Sequence, residues 1–144
     1  MITATTLTAP STRQATAQSC TARHLWRTGA MAGLAASVAT FAFAALARAI
    51  DVPLTVAGDS IPLVGFAQVT FVASIIGTVL AVVFSRRADN PRRTFVTTTI
   101  VLTVMSFVPD VLADAHTATK IALALSHVVA AAIVIPALAS RLTD

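Results

Sequence analysis

Four long apolar segments, separated by short polar connections, constrain the fold of this 144-residue chain more than any other feature. They cover residues 29–47, 61–84, 94–109 and 121–139. A helix of about 20 apolar residues spans the hydrocarbon core of a bilayer, which is about 30 Å thick. The chain is therefore predicted to be all-α, a membrane four-helix bundle. Its helices are expected at about 27–50, 61–85, 93–112 and 118–140.

The composition indicates that most of the protein surface faces lipid. Hydrophobic residues make up 56% of the chain and charged residues 11%, and glutamate and tyrosine are absent. Soluble domains carry about 25% charged residues, so this chain has too few of them to cover a water-exposed surface. The lipid bilayer is thus the first expected partner.

The net charge of +4 comes from arginines that flank the apolar segments. Such clusters set membrane orientation, and the chain lacks the basic stripe interleaved with aromatic residues that predicts nucleic-acid binding. Two basic residues, Arg48 and Lys120, fall on the side opposite the amino terminus, against eight on the same side. Both termini are therefore predicted to be cytoplasmic. The eight are Arg13, Arg23, Arg27, Arg86, Arg87, Arg92, Arg93 and Arg141.

The chain divides into a tail and a single membrane domain. Residues 1–22 are rich in Thr, Ala, Ser and Gln and contain no acidic residue, which predicts a disordered cytoplasmic tail. Residues 23–144 form the predicted four-helix transmembrane domain. The first apolar segment is longer than the core of about 7–15 residues found in a signal peptide, so we expect it to be retained as a helix.

The connection between the first two helices, DVPLTVAG at residues 51–58, alternates apolar with other side chains. This pattern indicates a short strand or an extended segment on the bilayer surface, and Pro53 weakens the case for the strand. Asp59 and Ser60 follow directly, and both residue types commonly cap helices. They are expected to begin the second helix.

Small residues recur at four-residue spacing in the first helix, at Gly29, Gly33 and Ser37. This spacing places them on one face, and such faces let membrane helices approach each other closely. The pattern predicts tight packing, either with a helix of the same chain or with a second copy.

A hydroxyl stripe in the third helix leads towards a carboxylate, with Thr99, Thr103, Ser106 and Asp110 on one face. By helical rise, about 20 residues from the inner interface reach the outer one, so Asp110 is expected just inside the outer boundary. Pro109 disfavours a continuing helix. Asp110 is therefore interpreted mainly as the cap of a short outer helix, with a functional role as the alternative.

An ionisable residue, His127, lies seven positions past Lys120, which is about 10 Å into the outer leaflet. Ionisable groups inside membrane helices often mark functional sites, although a neutral imidazole hydrogen-bonded to a neighbouring helix is the simpler interpretation. Gln68 is expected at a similar depth and is a candidate partner. With Asp110 and Asp114 these residues form a candidate polar cluster open to the outside.

No catalytic residue, metal or other cofactor is predicted. Cys20 is the single cysteine, which excludes an intrachain disulfide, a dithiol centre and a cysteine-based zinc cluster. Asp110, Asp114 and His116 form an Asp-x3-Asp-x-His pattern that lacks the spacing of a known zinc motif.

Several short motifs follow one another along the chain. They are Trp26-Arg27 before the first helix, the alternating outer loop, Pro91 to Arg93 before the third helix, Pro109-Asp110 at its outer end, and His127 with Ile135-Pro136 in the fourth. This order resembles a family of small, uncharacterised actinobacterial four-helix integral membrane proteins. The resemblance covers roughly Leu25 to Leu138. It implies a bacterial inner-membrane protein of unknown function, from a family without assigned catalytic residues.

The sequence thus favours a non-enzymatic integral membrane protein with a structural or accessory role. Its expected partners are the lipid bilayer and either a second copy or another membrane protein. The alternative is a small transporter or proton-coupled carrier with an outer vestibule around Asp110 and His127. An intramembrane enzyme is a remote third class, because the chain shows neither a clear serine–histidine arrangement nor a metal motif.

Overall fold

The computed structural model describes the backbone of residues 12–142 and the side chains of residues 22–142. In this part of the chain all four predicted helices form, and each is long and apolar enough to cross a membrane. They are α1 (Thr12–Ala49), α2 (Leu63–Arg87), α3 (Pro91–Leu112) and α4 (Thr117–Ala139). The prediction of an all-α fold with four membrane-spanning helices is confirmed.

The helix boundaries agree closely with the prediction for α2, α3 and α4, but α1 begins much earlier than expected, at Thr12. Residues 12–22 are therefore helical, whereas the sequence predicted a disordered tail for residues 1–22. Alanine, glutamine and arginine are good helix formers, and adding a residue to an existing helix costs far less than starting a new one. The apolar part of α1 supplies the start of that helix. Residues 1–11 lie outside the described part of the chain.

The connection between α1 and α2 is a small β-hairpin. Strand β1 (Thr55–Val56) pairs antiparallel with β2 (Asp59–Ser60). Ala57 and Gly58 form the turn, with φ of 52° and 88°, a left-handed backbone that suits glycine and costs alanine about 1 kcal/mol or more. Because Asp59 and Ser60 belong to the second strand, they do not cap α2. The N-cap position belongs to Pro62, which makes no side-chain capping bond.

The hairpin is fastened to the connection between α3 and α4. The backbone N–H of Ala57 donates to the carbonyl of Asp114 at 2.7 Å, and the Thr119 hydroxyl donates to the carbonyl of Pro53. Residues 50–62 and 113–116 therefore lie together at one end of the bundle, called here the hairpin end. The opposite end, called the arginine end, contains the turn between α2 and α3.

The four helices pack as a bundle in which α1 lies against α2 and α4, and α3 packs against the same two helices. Two apolar clusters close the bundle near its ends. The cluster at the arginine end consists of Leu25, Ala81, Phe95, Leu138, Ala139 and Leu142. The cluster at the hairpin end consists of Ala44, Ala47, Leu54, Phe66 and Ala122.

Between these clusters, α1 and α2 meet through small and hydroxyl-bearing residues. A Cβ added to Gly29 would overlap the side chain of Thr78, and one added to Gly33 would lie 2.9 Å from the Cβ of Ser74. Nearer the hairpin end, the Thr40 hydroxyl donates to the hydroxyl of Thr70 at 3.1 Å. The small-residue face of α1, which also includes the buried Ser37, is thus covered by α2 of the same chain and is not available to a second copy.

Many large apolar side chains point outwards instead. Met31 and Leu112, for example, are 73% and 78% exposed, whereas Ser74 and Thr78 are buried. This distribution is the reverse of a soluble bundle and matches a lipid environment, where helices associate through close packing of small residues.

Substituting Gly29 tests the close approach of α1 and α2. Gly29→Val places a branched side chain where Thr78 already lies, so we expect the unfolding free energy to fall by about 1–3 kcal/mol or more. Ala30→Val is the matched control, because Ala30 is exposed on the next position of the same helix. Thermal unfolding of both variants in detergent measures the difference. Equal melting temperatures for the two variants would contradict the packing described here.

Candidate functional site

The most distinctive polar contact in the described chain joins α3 to α4. Oδ2 of Asp110 lies 3.0 Å from Nδ1 of His127, with the aspartate side chain 11% exposed and the histidine 33%. When both are ionised the aspartate is negative and the histidine positive. Placing the pair in a membrane therefore costs far less free energy than placing either charge there alone.

Asp110 reaches this position because α3 does not end at Pro109. The helix continues to Leu112, and the N–H of Ala113 closes its last turn by donating to the carbonyl of Pro109 at 2.9 Å. The predicted role of Asp110 as the cap of a separate outer helix is therefore wrong. Pro109 removes one helical hydrogen bond, but the turn that follows it is closed by the Ala113 N–H, and the helix is maintained to Leu112. The side chain of Asp110 is consequently directed inwards, onto α4.

The bonding of the pair is incomplete. Nδ1 of His127 also lies 3.0 Å from the carbonyl of Leu123, one turn earlier in α4. Among the described residues, Oδ2 of Asp110 receives no hydrogen bond of good geometry although it is buried. Nδ1 carries at most one proton, so Oδ2 and the Leu123 carbonyl compete for it. A buried carboxylate oxygen that lacks a hydrogen bond can accept a proton or a bond from a ligand atom.

The aromatic ring of Phe107 supports the imidazole from the side. Its centroid lies 6.3 Å from that of His127, with the ring planes at 74°, an edge-to-face arrangement that aromatic rings favour. The His127 ring is therefore held by α3 at two points, Asp110 and Phe107.

A cavity of about 320 Å³ extends from His127 towards the arginine end, between α2, α3 and α4. Its walls are mostly apolar, with hydroxyls from the stripe predicted on α3. Thr99, Thr103 and Ser106 each donate to a backbone carbonyl of α3 at 2.7–2.8 Å. The hydroxyls are therefore satisfied within their own helix and do not form a hydrogen-bonded chain leading to Asp110.

The structure separates the other members of the predicted polar cluster from this pair. Gln68 is exposed on the outside of α2, so the partner of His127 is Asp110 and not Gln68. Gln68 precedes the buried Thr70 by two residues, which is about 200° of rotation around the helix, so it lies on a different face from the one predicted. Asp114 lies beyond the end of α3 with an exposed side chain, and the neighbouring His116 is exposed as well.

The arginine cluster lies at the other end of the bundle. Arg86 and Arg87 belong to the last turn of α2, and Arg92 and Arg93 to the first turn of α3. All four side chains are exposed. They are thus separated from the Asp110–His127 pair by the length of the bundle.

Comparison with known proteins gives one match. Residues 20–144 fit the model of a family described as a family of unknown function, DUF6069. The chain belongs to the DUF6069 family. The matched region of this DUF6069 protein includes α2, α3, α4, the hairpin and the Asp110–His127 pair, and the expected resemblance to an uncharacterised family is confirmed at that level. No curated protein and no solved structure matches the chain.

A double-mutant cycle measures what the pair contributes to stability. Asp110→Ala and His127→Ala each break the contact between α3 and α4, so we expect each to destabilise the protein and the two effects to be non-additive by about 0.5–3 kcal/mol. Asp114→Ala is the matched control, since it removes an exposed aspartate near the same helix end, and it is expected to change stability by less than about 0.5 kcal/mol. Unfolding in mixed detergent provides the measurement. Strictly additive effects would show that the two residues do not interact.

Proposed function

We propose that this DUF6069 protein is a multi-pass protein of the inner (plasma) membrane of an actinobacterium, with a structural or accessory role and no enzymatic activity. The observation that carries the proposal is how the polar side chains of the interior are used. Ser74 and Thr78 of α2, like Thr99 of α3, donate to carbonyls of their own helix at 2.8 Å. Hydroxyls bound in this way support packing and do not converge on a reaction centre.

The exposed apolar faces favour further partners within the bilayer. Val64, Val69 and Val72 on α2 are each more than half exposed, as is Val104 on α3. Lipid covers such faces in an isolated protein, and a second copy or another membrane protein replaces part of that lipid in a complex. Because α2 covers the glycine face of α1, an oligomer of this chain has to form through these outer faces.

Both termini are proposed to be cytoplasmic, and the positions of the arginines support this orientation. Arg86 and Arg87 at the end of α2 interact favourably with the helix dipole, whereas Arg92 and Arg93 in the first turn of α3 oppose it. The helix dipole therefore does not explain the second pair. The rule that positive residues remain on the cytoplasmic side does explain it.

Labelling of single cysteines in intact cells tests the orientation. Two exposed loop aspartates, Asp59 in the hairpin and Asp89 between α2 and α3, are replaced one at a time by cysteine in a Cys20→Ser background. A membrane-impermeant maleimide is expected to label Asp59→Cys in intact cells and Asp89→Cys only after permeabilisation. The reverse pattern would invert the orientation. Labelling of both positions in intact cells would exclude a span between them.

A second candidate function, a proton-coupled carrier, is favoured by the Asp110–His127 pair. The imidazole borders both the carboxylate and the cavity, so a proton held by the pair lies beside the space that a solute would occupy. Histidine is the side chain best suited to exchange protons near neutral pH. The vestibule predicted from the sequence is thus replaced by a cavity inside the bundle, with His127 at its hairpin end.

Proteoliposomes distinguish this function from a purely structural role. The probe is a single-chain lipophilic cation, decyltrimethylammonium, with uptake driven by an imposed pH gradient. If the pair couples transport to protons, Asp110→Asn reduces uptake at least about tenfold, the effect of losing about 1.4 kcal/mol, while the exposed Asp114→Asn retains it. If gradient-driven uptake stays at the protein-free level with both the wild-type protein and the variant, the carrier function is contradicted. A lower melting temperature of the variant then indicates that the pair has a structural role.

A further inference from the structure

We propose that the cavity between α2, α3 and α4 is a binding site for a single-chain lipid with a small, uncharged hydroxyl head, such as a long-chain alcohol. The chain lies along the cavity and the hydroxyl pairs with His127. This inference goes beyond the proposed role in the membrane and does not depend on the orientation of the termini.

The shape of the cavity fits one extended hydrocarbon chain. It runs from Thr70 to Leu80 along α2 and from Ser106 back to Phe95 along α3, which is about 15 Å by helical rise. The cavity is therefore elongated along the helices, and its walls are mostly apolar. Such a slot suits an extended hydrocarbon chain better than a compact polar solute.

Small residues keep the slot open. Gly77 of α2 has room for a Cβ, since the nearest side-chain atoms, on Val134 and Leu138, would be 3.9 and 4.0 Å away. Across from it, Ala130 and Ala131 of α4 contribute single methyl groups to the wall. The space therefore exists because large side chains are missing where three helices meet.

The cavity wall includes residues of α2 and α3 that are exposed at the surface of the helix bundle. Ile76 of α2 and Leu102 of α3 both line it and are 56% and 49% exposed on the outer surface of the bundle. In its most apolar segment, α3 buries 17% of its residues, the smallest share of the four helices, whereas α1 buries 39% in the corresponding segment. A ligand dissolved in the bilayer can enter between α2 and α3, so the occupant is expected to be lipid-soluble.

One end of the slot carries the hydrogen-bonding group. Nδ1 of His127 faces Asp110 and the carbonyl of Leu123, whereas within residues 22–142 its Nε2 has no hydrogen-bond partner and the ring lines the cavity. Nε2 is not one of the buried polar atoms that lack a partner among the described residues, so it is reachable by a ligand in the cavity. A polar atom at the end of the hydrocarbon chain would supply the missing bond.

Charge and depth select a hydroxyl as that polar atom. With a proton on Nδ1, Nε2 is a hydrogen-bond acceptor in the neutral ring and a donor in the charged ring. A ligand hydroxyl can pair with Nε2 in either form, whereas a ligand carbonyl can pair only with the charged form. A carboxylate would add a second negative charge beside Asp110. The site lies about 10 Å below Lys120 by helical rise, where the charged head of a phospholipid is strongly disfavoured.

The test uses the full-length protein in nanodiscs and two photoreactive forms of tetradecanol, with a diazirine either beside the hydroxyl or beside the methyl end. The first is expected to label residues near His127 and the second residues near Phe95 and Ile135, both saturably and in competition with unlabelled tetradecanol. Peptide mass spectrometry locates the labels. Labelling spread evenly over the outer faces, or the same positions from both probes, would overturn the proposal.

Matched variants separate this site from ordinary contact with bilayer lipid. Ala131→Phe fills the slot and is expected to reduce labelling at least tenfold, whereas Ala132→Phe, on the exposed side of α4, leaves it unchanged. His127→Phe is expected to weaken competition by tetradecanol about tenfold, which corresponds to the loss of one hydrogen bond, and to leave competition by tetradecane unchanged.

Three further results would contradict the inference. One is wild-type labelling in Ala131→Phe, since the proposed chain then has no room. The other is equal competition by tetradecane and tetradecanol in the wild-type protein, which needs no variant and is therefore independent of any effect of substitution on folding. Stronger competition by myristate than by tetradecanol would likewise exclude an uncharged head.

Discussion

The contact between α1 and α2 at Gly29 and Gly33 is the interaction on which the rest of the structure depends. In lipid, helices gain no hydrophobic free energy by packing against each other, so their association relies on close contact and hydrogen bonds. The absence of side chains at these two positions brings the α1 backbone against Ser74 and Thr78. The resulting pair is the platform on which α4 packs. An apolar cluster closes each end of this platform, and small and hydroxyl residues fill the seam between them.

Helix α3 is attached differently. Its buried residues are few, Phe95, Thr99 and Asp110, and the first and last of these lie near opposite ends of the helix. Phe95 belongs to the apolar cluster at the arginine end, while Asp110 contacts His127 at the hairpin end. Between them the helix presents short hydroxyl side chains towards α2 and α4. The cavity is the direct result, because a helix held at two distant points does not fill the space along its middle.

Much of the fold was predictable from the sequence, because apolar segments of membrane-spanning length leave few alternatives in lipid. The same reasoning located the glycine face on α1 and the polar residues in one half of the bundle. It did not tell a covered face from an exposed one, since Gln68 and Thr70 differ by rotation and not by depth. It also overestimated the effect of Pro109, because α3 continues to Leu112 with its last turn closed by the Ala113 N–H. The pairing of Asp110 with His127 depended on that continuation, and so was out of reach of local sequence rules.

The backbone bond between Ala57 and Asp114 has a mechanical consequence for α3. Together with the bond from the Lys120 ammonium to the carbonyl of Val111, at 2.8 Å, it anchors the segment that follows α3, while the three-residue turn at 88–90 ties the start of α3 to α2. Because α3 is held near both ends in this way, a change in the width of the slot would require bending in the middle of the helix.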